Sequence, residues 1–339
     1  MSIAIRTVAV VGAGYMGGGI AQCFADAGLH VTIADADAEA TRASHERLLR
    51  EAREFERLDL VNAGYADRVA ANLHVADSIE EAVADVDMIE EVVPENPEIK
   101  ASVHARIEAA ARPDAVFGSN TSTIPITDMA AGLAHPERFL GVHFSNPAPF
   151  IPGVEIILHP GTDEAVARAA EEAVRATGKL TARLKDKAGF VLNRLQFTLL
   201  KEAMTIVEEG VASADDVDTI VRTTFGFRLP FFGPFVIADM AGLDTYRGGF
   251  ATLEKHYGER LSCLESLAEL VDSGHYGVKS GGGFVVPAEG NEALVEYRNT
   301  AYARLTRLLS DLGPAPVGRS TGAAVTEAPA EADSGERLG

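Results

Sequence analysis

Three glycines, Gly12, Gly14 and Gly17, stand between an apolar run (TVAVV, 7–11) and a helix-like stretch closed by Gly28; a second apolar run (HVTIADAD, 30–37) follows at once. Strand, helix and strand joined by turns this tight make the parallel crossover unit, with Gly28 placed as a helix C-cap. In that setting each glycine has a physical use. Gly12 permits the tight turn, Gly14 lets the backbone approach a pyrophosphate, and Gly17 lets the helix pack on the strand, so that the phosphates meet the positive end of the helix. Tyr15 and Met16 complete the loop as candidate cofactor contacts. Asp35 ends the second strand, where a carboxylate accepts both adenosine ribose hydroxyls and repels a 2′-phosphate, and no arginine follows until Arg42. NAD is therefore preferred to NADP, the plain alternative being a glycine-rich turn without chemistry. The loop names a dinucleotide and no reaction.

Further strand candidates lie at 87–93, 115–122, 138–145 and 153–159, with a charged helical stretch at 38–71 and helical segments between most of the strands. This alternation predicts an α/β class with a doubly wound Rossmann-type sheet. After residue 185 apolar residues recur at helical spacing as far as Gly210, and the pattern restarts behind a Ser213 cap; strand signals are then nearly absent up to SGGGF at 280–284. The expected organisation is a dinucleotide-binding domain at 1–185, an all-α domain at 186–290 and one more amphipathic helix at 291–313. A tail at 314–339, rich in Ala, Pro, Gly, Ser, Thr and charge, is expected to be disordered.

Composition excludes several partners. Thirty Lys and Arg against fifty Asp and Glu give a net charge of −20 over 339 residues, which repels nucleic acid and anionic lipid. The apolar residues at 8–27 are better used by the glycine loop than by an export signal, and no apolar run reaches the ~20 residues that span a bilayer. Two distant cysteines, Cys23 and Cys263, favour a reducing compartment, here the cytoplasm, over a disulfide framework. No H-E-x-x-H, C-x-x-C or G-x-S-x-G in its required context is present, so no metal is expected. The apolar segment FFGPFVIADMAGL (231–243) is expected to be an exposed subunit contact.

Taking a hydroxyl proton while a hydride leaves for nicotinamide suits histidine. Of nine histidines, His30, His45, His104 and His256 fall on or beside polar helical stretches and read as solvated surface. His143 falls at the carboxyl end of an apolar strand, the edge at which doubly wound sheets bind ligands, although a core histidine would occupy the same position. Ser122 follows another apolar strand and reaches the same edge. Glu155 opens the next strand and can supply a carboxylate to the imidazole, which would stabilise imidazolium and fix the ring.

Seven ordered pieces within residues 5–284 carry a family resemblance: VAVVGAGYMGGGIAQ, EEVVPENPEIK, SNTSTIPIT, GVHFSNPAPFIPGVEII, KDKAGFVLNRL, FGPFVIADMAGLDT and VKSGGGF. The chain resembles the short-chain L-3-hydroxyacyl-CoA dehydrogenase family, which includes 3-hydroxybutyryl-CoA dehydrogenases. The resemblance implies a helical domain that pairs two subunits into a homodimer, with the active site in the cleft between the two domains. It implies His143 as catalytic base, Glu155 as its partner, and Ser122 and Asn193 as the residues that orient substrate, domain closure completing the site. Asn120, Glu95 and Lys100 then correspond to nicotinamide-side and ribose-side contacts, and Asn146 to a contact near the thioester; a solvated ion pair is the plain reading of Glu95 and Lys100. Where the family commonly reads HFFNP and MKLVE, this chain has HFSNP and IPGVE. The IP-x-VE form, VLNRLQ and VEEG are similar to L-gulonate 3-dehydrogenase (lambda-crystallin) relatives. Residues 45–74, where CoA phosphates would be met, hold Arg47, Arg50, Arg53, Arg57 and Arg68, no lysine and many acids. The expected activity is NAD-dependent oxidation of an L-3-hydroxyacyl-CoA, or its reverse, in fatty acid metabolism. The alternatives are a dehydrogenase of a free hydroxy acid (3-hydroxybutyrate, L-gulonate or carnitine type), a carrier-protein thioester as substrate, and a non-catalytic NAD-binding structural protein.

Overall fold

The computed structural model describes residues 3–316, so the tail expected to be disordered lies, from 317 on, outside the described residues. One sheet holds eight strands: β1 (Thr7–Val11), β2 (His30–Ala34), β3 (Leu73–Val75), β4 (Met88–Glu91), β5 (Val116–Ser119), β6 (Phe139–Phe144), β7 (Gly153–Leu158) and β8 (Leu180–Lys185). Their order is β3-β2-β1-β4-β5-β6-β7-β8, parallel throughout except between β6 and β7. The helices on it are α1 (Tyr15–Asp26), α2 (Ala38–Arg57), α3 (Tyr65–Asn72), α4 (Ile79–Val83), α5 (Pro97–Ala110), α6 (Ile126–Ala130) and α7 (Glu164–Ala176). The doubly wound α/β reading of the sequence is the fold observed.

Burial on both faces explains the continuous apolar runs of the central strands. Val8 and Val10 pack with Phe24, Leu48 and Val142 on one face, while Ala9, Val11, Ile89, Phe117 and Phe139 pack with Ile107 and Ile126 on the other. Helix starts follow local chemistry: the carboxylate of Asp37 accepts from the amides of Glu39 and Ala40, and the side chain of Asn96 accepts from those of Glu98 and Ile99 ahead of Pro97. The charged stretch expected as one helix at 38–71 is two, because the chain turns through positive φ at Asp59 and Gly64. Glu56 pins that turn by accepting from the amides of Gly64 and Ala66. β6 and β7 are antiparallel because the short connection at 145–152 has no room for a crossover helix. That reversal brings His143 opposite Glu155.

The described residues form two compact units, the first running to Leu199 and the second starting at Leu200. α8 (Leu192–Glu208) begins in the first. The second continues with α9 (Ala214–Thr223), α10 (Phe225–Arg228), α11 (Pro234–Ala241), α12 (Leu243–Tyr257), α13 (Glu265–Asp272) and α14 (Glu292–Leu312). Fully buried Asp239 fastens the SGGGF segment there by accepting from the amides of Phe284, Val285 and Val286. The segment 231–243 is less exposed than its composition suggests: Phe232, Ile237 and Leu243 are buried, and Phe235 is 55% exposed.

Candidate active site

The glycine loop is shaped for close approach. Gly12 has φ +104°, and a Cβ on Gly17 would sit 1.8 Å from the Gly12 carbonyl oxygen, so neither position tolerates a side chain. Among the described residues, a Cβ on Gly14 would meet nothing within 4 Å. This open edge leads to the start of α1, which has no acid in its first turn and, among the described residues, no side-chain cap, so its free amides and positive end suit a pyrophosphate. Asp35 stands beside it, its Oδ2 accepting from the Ala13 amide at 2.8 Å and its Oδ1 from the Ala36 amide at 2.7 Å. The carboxylate is thus fixed with lone pairs to spare for ribose hydroxyls, and the loop fits NAD. Tyr15 is exposed beside the loop, and Met16 faces the adjoining cleft.

That cleft, of about 480 Å³, is lined by Met16, Asn120, Ser122, His143, Asn146 and Asn193. The strand register places His143 Nδ1 2.7 Å from Glu155 Oε2. Glu155 Oε1 accepts from the amides of Val191 at 3.0 Å and Leu192 at 2.9 Å, which ties the carboxylate to the start of α8. Burial alone would raise the Glu155 carboxyl, but the imidazole and the two amides outweigh it, and its pKa lies below the ordinary value. With Nδ1 so engaged, Nε2 is the ring nitrogen left for a ligand. Asn193 Nδ2 donates to the Ser122 carbonyl at 2.7 Å, and Asn120 Oδ1 accepts from the Phe144 amide at 2.8 Å. Asn193 therefore meets Ser122 inside the first unit.

Two sequence-predicted contacts are engaged by the protein itself. Glu95 Oε1 accepts from the Thr121 hydroxyl and the amides of Ser122 and Thr123, holding the loop that carries Ser122. Lys100, predicted as a ribose-side contact or a solvated partner, is 1% exposed, and its ammonium donates to Glu91 Oε1 at 2.8 Å. His104, expected on the surface, is also buried, with Nε2 2.9 Å from Glu91 Oε2. The reason is helical spacing: Lys100 and His104 are one turn apart on the face of α5 turned to the sheet. Ser145 and Ile151, noted in the sequence only as departures from the family's HFFNP and MKLVE, also line the cleft, as does Gln196, which sequence reasoning missed. Gln196 had a signal, since it stands three positions after Asn193 on the same helix face.

Comparison with known proteins agrees with this fold. Residues 7–187 match the family model of the 3-hydroxyacyl-CoA dehydrogenase NAD binding domain, and residues 189–286 that of its C-terminal domain. A 3-hydroxybutyryl-CoA dehydrogenase of Mycobacterium tuberculosis is 36% identical over 84% of this chain and 99% of its own length. A 5-formyl-3-hydroxy-2-methylpyridine 4-carboxylate 5-dehydrogenase of Mesorhizobium japonicum is 34% identical over 90% of this chain and 98% of its own. The crystal structure of the 3-hydroxyacyl-CoA dehydrogenase of Archaeoglobus fulgidus superposes with a TM-score of 0.76 at 30% identity, covering 90% of this chain and 99% of that one. With a dinucleotide loop at one end of the sheet edge and a paired imidazole at the other, the chain belongs to the 3-hydroxyacyl-CoA dehydrogenase family and is an NAD-dependent oxidoreductase.

Proposed function

We propose that the cleft oxidises the 3-hydroxyl of an L-3-hydroxyacyl-CoA of the 3-hydroxybutyryl type to the ketone, or runs the reverse. NAD, when bound, supplies the hydride acceptor. His143 takes the hydroxyl proton on Nε2; Glu155 orients the ring through Nδ1 and favours imidazolium. Ser122 and Asn193 hold the substrate oxygens, with Asn146 near the thioester and Asn120 on the nicotinamide side. The loop residues Gly12, Gly14, Tyr15, Met16 and Gly17 and the carboxylate of Asp35 hold the dinucleotide, with Glu95 and Lys100 behind its ribose. The observation that carries the reading is the 2.7 Å contact of His143 with Glu155 inside a cleft that Ser122 and Asn193 also line.

The choice of a thioester is supported by the M. tuberculosis relative and by the lining of the cleft, which among the described residues contains no lysine or arginine to meet a free carboxylate. Of the five arginines near the expected CoA phosphates, Arg47, Arg50, Arg57 and Arg68 pair with carboxylates, leaving Arg53 without an ion pair among the described residues. A free hydroxy acid is the second reading, favoured by the M. japonicum relative, whose name carries no CoA, and by the polar Ser145 and Gln196 in the cleft wall. Initial rates of NADH formation with 3-hydroxybutyryl-CoA, 3-hydroxybutyrate and L-gulonate separate them. We expect the thioester to be preferred by about 10² in kcat/KM; a preference for either free acid overturns the assignment.

The same reading takes the protein to work as a cytoplasmic homodimer. Supporting it are exposed apolar side chains on α8 and α9, including Leu200, Met204 and Ile220, and free Cys23 and Cys263. Among the described residues no helix is long and apolar enough to cross a membrane.

A further inference from the structure

We propose that Glu91 is a positioning residue for this reaction, holding the Ser122 loop in register through Lys100 and Glu95. The inference rests on the reading above in that Ser122 is taken to face substrate. Glu91 is fully buried in β4, and four donors converge on its two oxygens. Oε1 accepts from Lys100 Nζ and the Val93 amide, each at 2.8 Å; Oε2 meets His104 Nε2 at 2.9 Å and accepts from the Ser119 hydroxyl at 2.7 Å.

Lys100 is the link to the site. Its ammonium also lies 3.6 Å from Glu95 Oε2, so two carboxylates share one buried cation. The other oxygen of Glu95 is committed to the loop. It accepts from the hydroxyl of Thr121 at 2.8 Å and from the amides of Ser122 at 2.9 Å, Thr123 at 2.8 Å and Ile124 at 3.4 Å. The loop passes the constraint on, because the Ser122 carbonyl accepts from Asn193 Nδ2. Removing the Glu91 charge leaves Glu95 as the nearest anion to Lys100, and the ammonium is then drawn toward Oε2, turning the carboxylate off the loop amides.

Sheet pairing already joins Glu91 to Ser119, and the two flanking faces are packed with apolar side chains. A buried ion pair stabilises a fold poorly compared with apolar packing of the same volume. The cluster is better explained by what it positions. A shift of about 1 Å in a substrate-orienting group costs on the order of 10² in rate, so a small rotation of Glu95 is enough to matter.

The test uses the full chain and begins without cofactor or substrate. In Glu91→Gln, amide hydrogen exchange at 122–124 should rise about tenfold or more while β1 and β6 stay protected. With both substrates present, kcat should fall about tenfold with the KM for NAD within about twofold, and adding the substitution to Ser122→Ala should cost less than about twofold more. Exchange at 122–124 within twofold of wild type overturns the proposal, as does a rise spread evenly over the sheet, or a full second loss of kcat on top of Ser122→Ala. Should Glu91→Gln not fold, Ser119→Ala removes a single donor from Oε2, and about threefold faster loop exchange is expected; no change overturns the proposal. Exchange is read without turnover, so a wild-type protein inactive on every thioester would refute the substrate reading and leave this measurement standing.

Discussion

Two imidazole–carboxylate pairs lie on the same face of one sheet, and their surroundings give them different work. His143 and Glu155 join β6 to β7 at the cleft; His104 and Glu91 join α5 to β4 beneath the neighbouring loop. Strand alternation and register put Glu91, Ser119, His143 and Glu155 all on that face. In both pairs burial raises the carboxyl and hydrogen bonds more than reverse it, so both Glu155 and Glu91 lie below their ordinary pKa. The partners make the difference. Glu91 answers to a buried lysine and a buried hydroxyl, whereas Glu155 answers to the amides that open α8, and its histidine meets a cleft. On the proposed reading, the same two side chains serve chemistry where the ring faces the cleft shared with Ser122 and Asn193, and positioning where the carboxylate is closed in by protein donors.

Breaking the pairs one at a time sharpens that contrast. Glu155→Gln removes the charge behind the ring and weakens the anchor of α8, and kcat should fall on the order of 10². Replacing the imidazole of the closed pair, His104→Asn, should cost less than about tenfold, with its larger effect on thermal stability. Rates of NADH formation and melting curves on both variants check this; equal losses of kcat would erase the distinction.

A smaller effect comes from Glu90, next to Glu91 in sequence but on the opposite face, where neither carboxyl oxygen has a hydrogen-bond partner among the described residues. Burial, reinforced by the charge of Glu91, holds its pKa well above the ordinary range. A raised carboxyl favours the fold fully only below its unfolded pKa near 4.3, and that contribution is lost as pH rises toward the folded value. Glu90→Met, which removes both polar atoms at similar volume, should therefore melt about 2–4 °C higher than wild type at pH 8, with the gap closing toward pH 4. A gap independent of pH would show that Glu90 is not held neutral.

What the sequence displays and what it hides follow from how local the signals are. Gly12, Gly14, Gly17 and Asp35 form a contiguous strand–turn–helix–strand unit, so backbone rules alone locate them. The meeting of His143 and Glu155 is suggested by their strand-end positions, but its geometry depends on the antiparallel return through 145–152. β3 is three residues long and β8 is mostly exposed, and such edge strands carry little of the apolar run that marks a central strand. The closed cluster is hidden for a different reason. Glu91, His104 and Ser119 come from three elements, and α5 distributes polar and apolar residues around its circumference, so nothing along the chain marks Lys100 and His104 as facing inward.

His143 is the base on which the proposed reaction depends. Measured side by side, His143→Gln should lower turnover of 3-hydroxybutyryl-CoA by about 10²–10⁴ while the Kd for NADH, read by fluorescence, stays within about twofold of wild type. Turnover equal to wild type in that variant would contradict it.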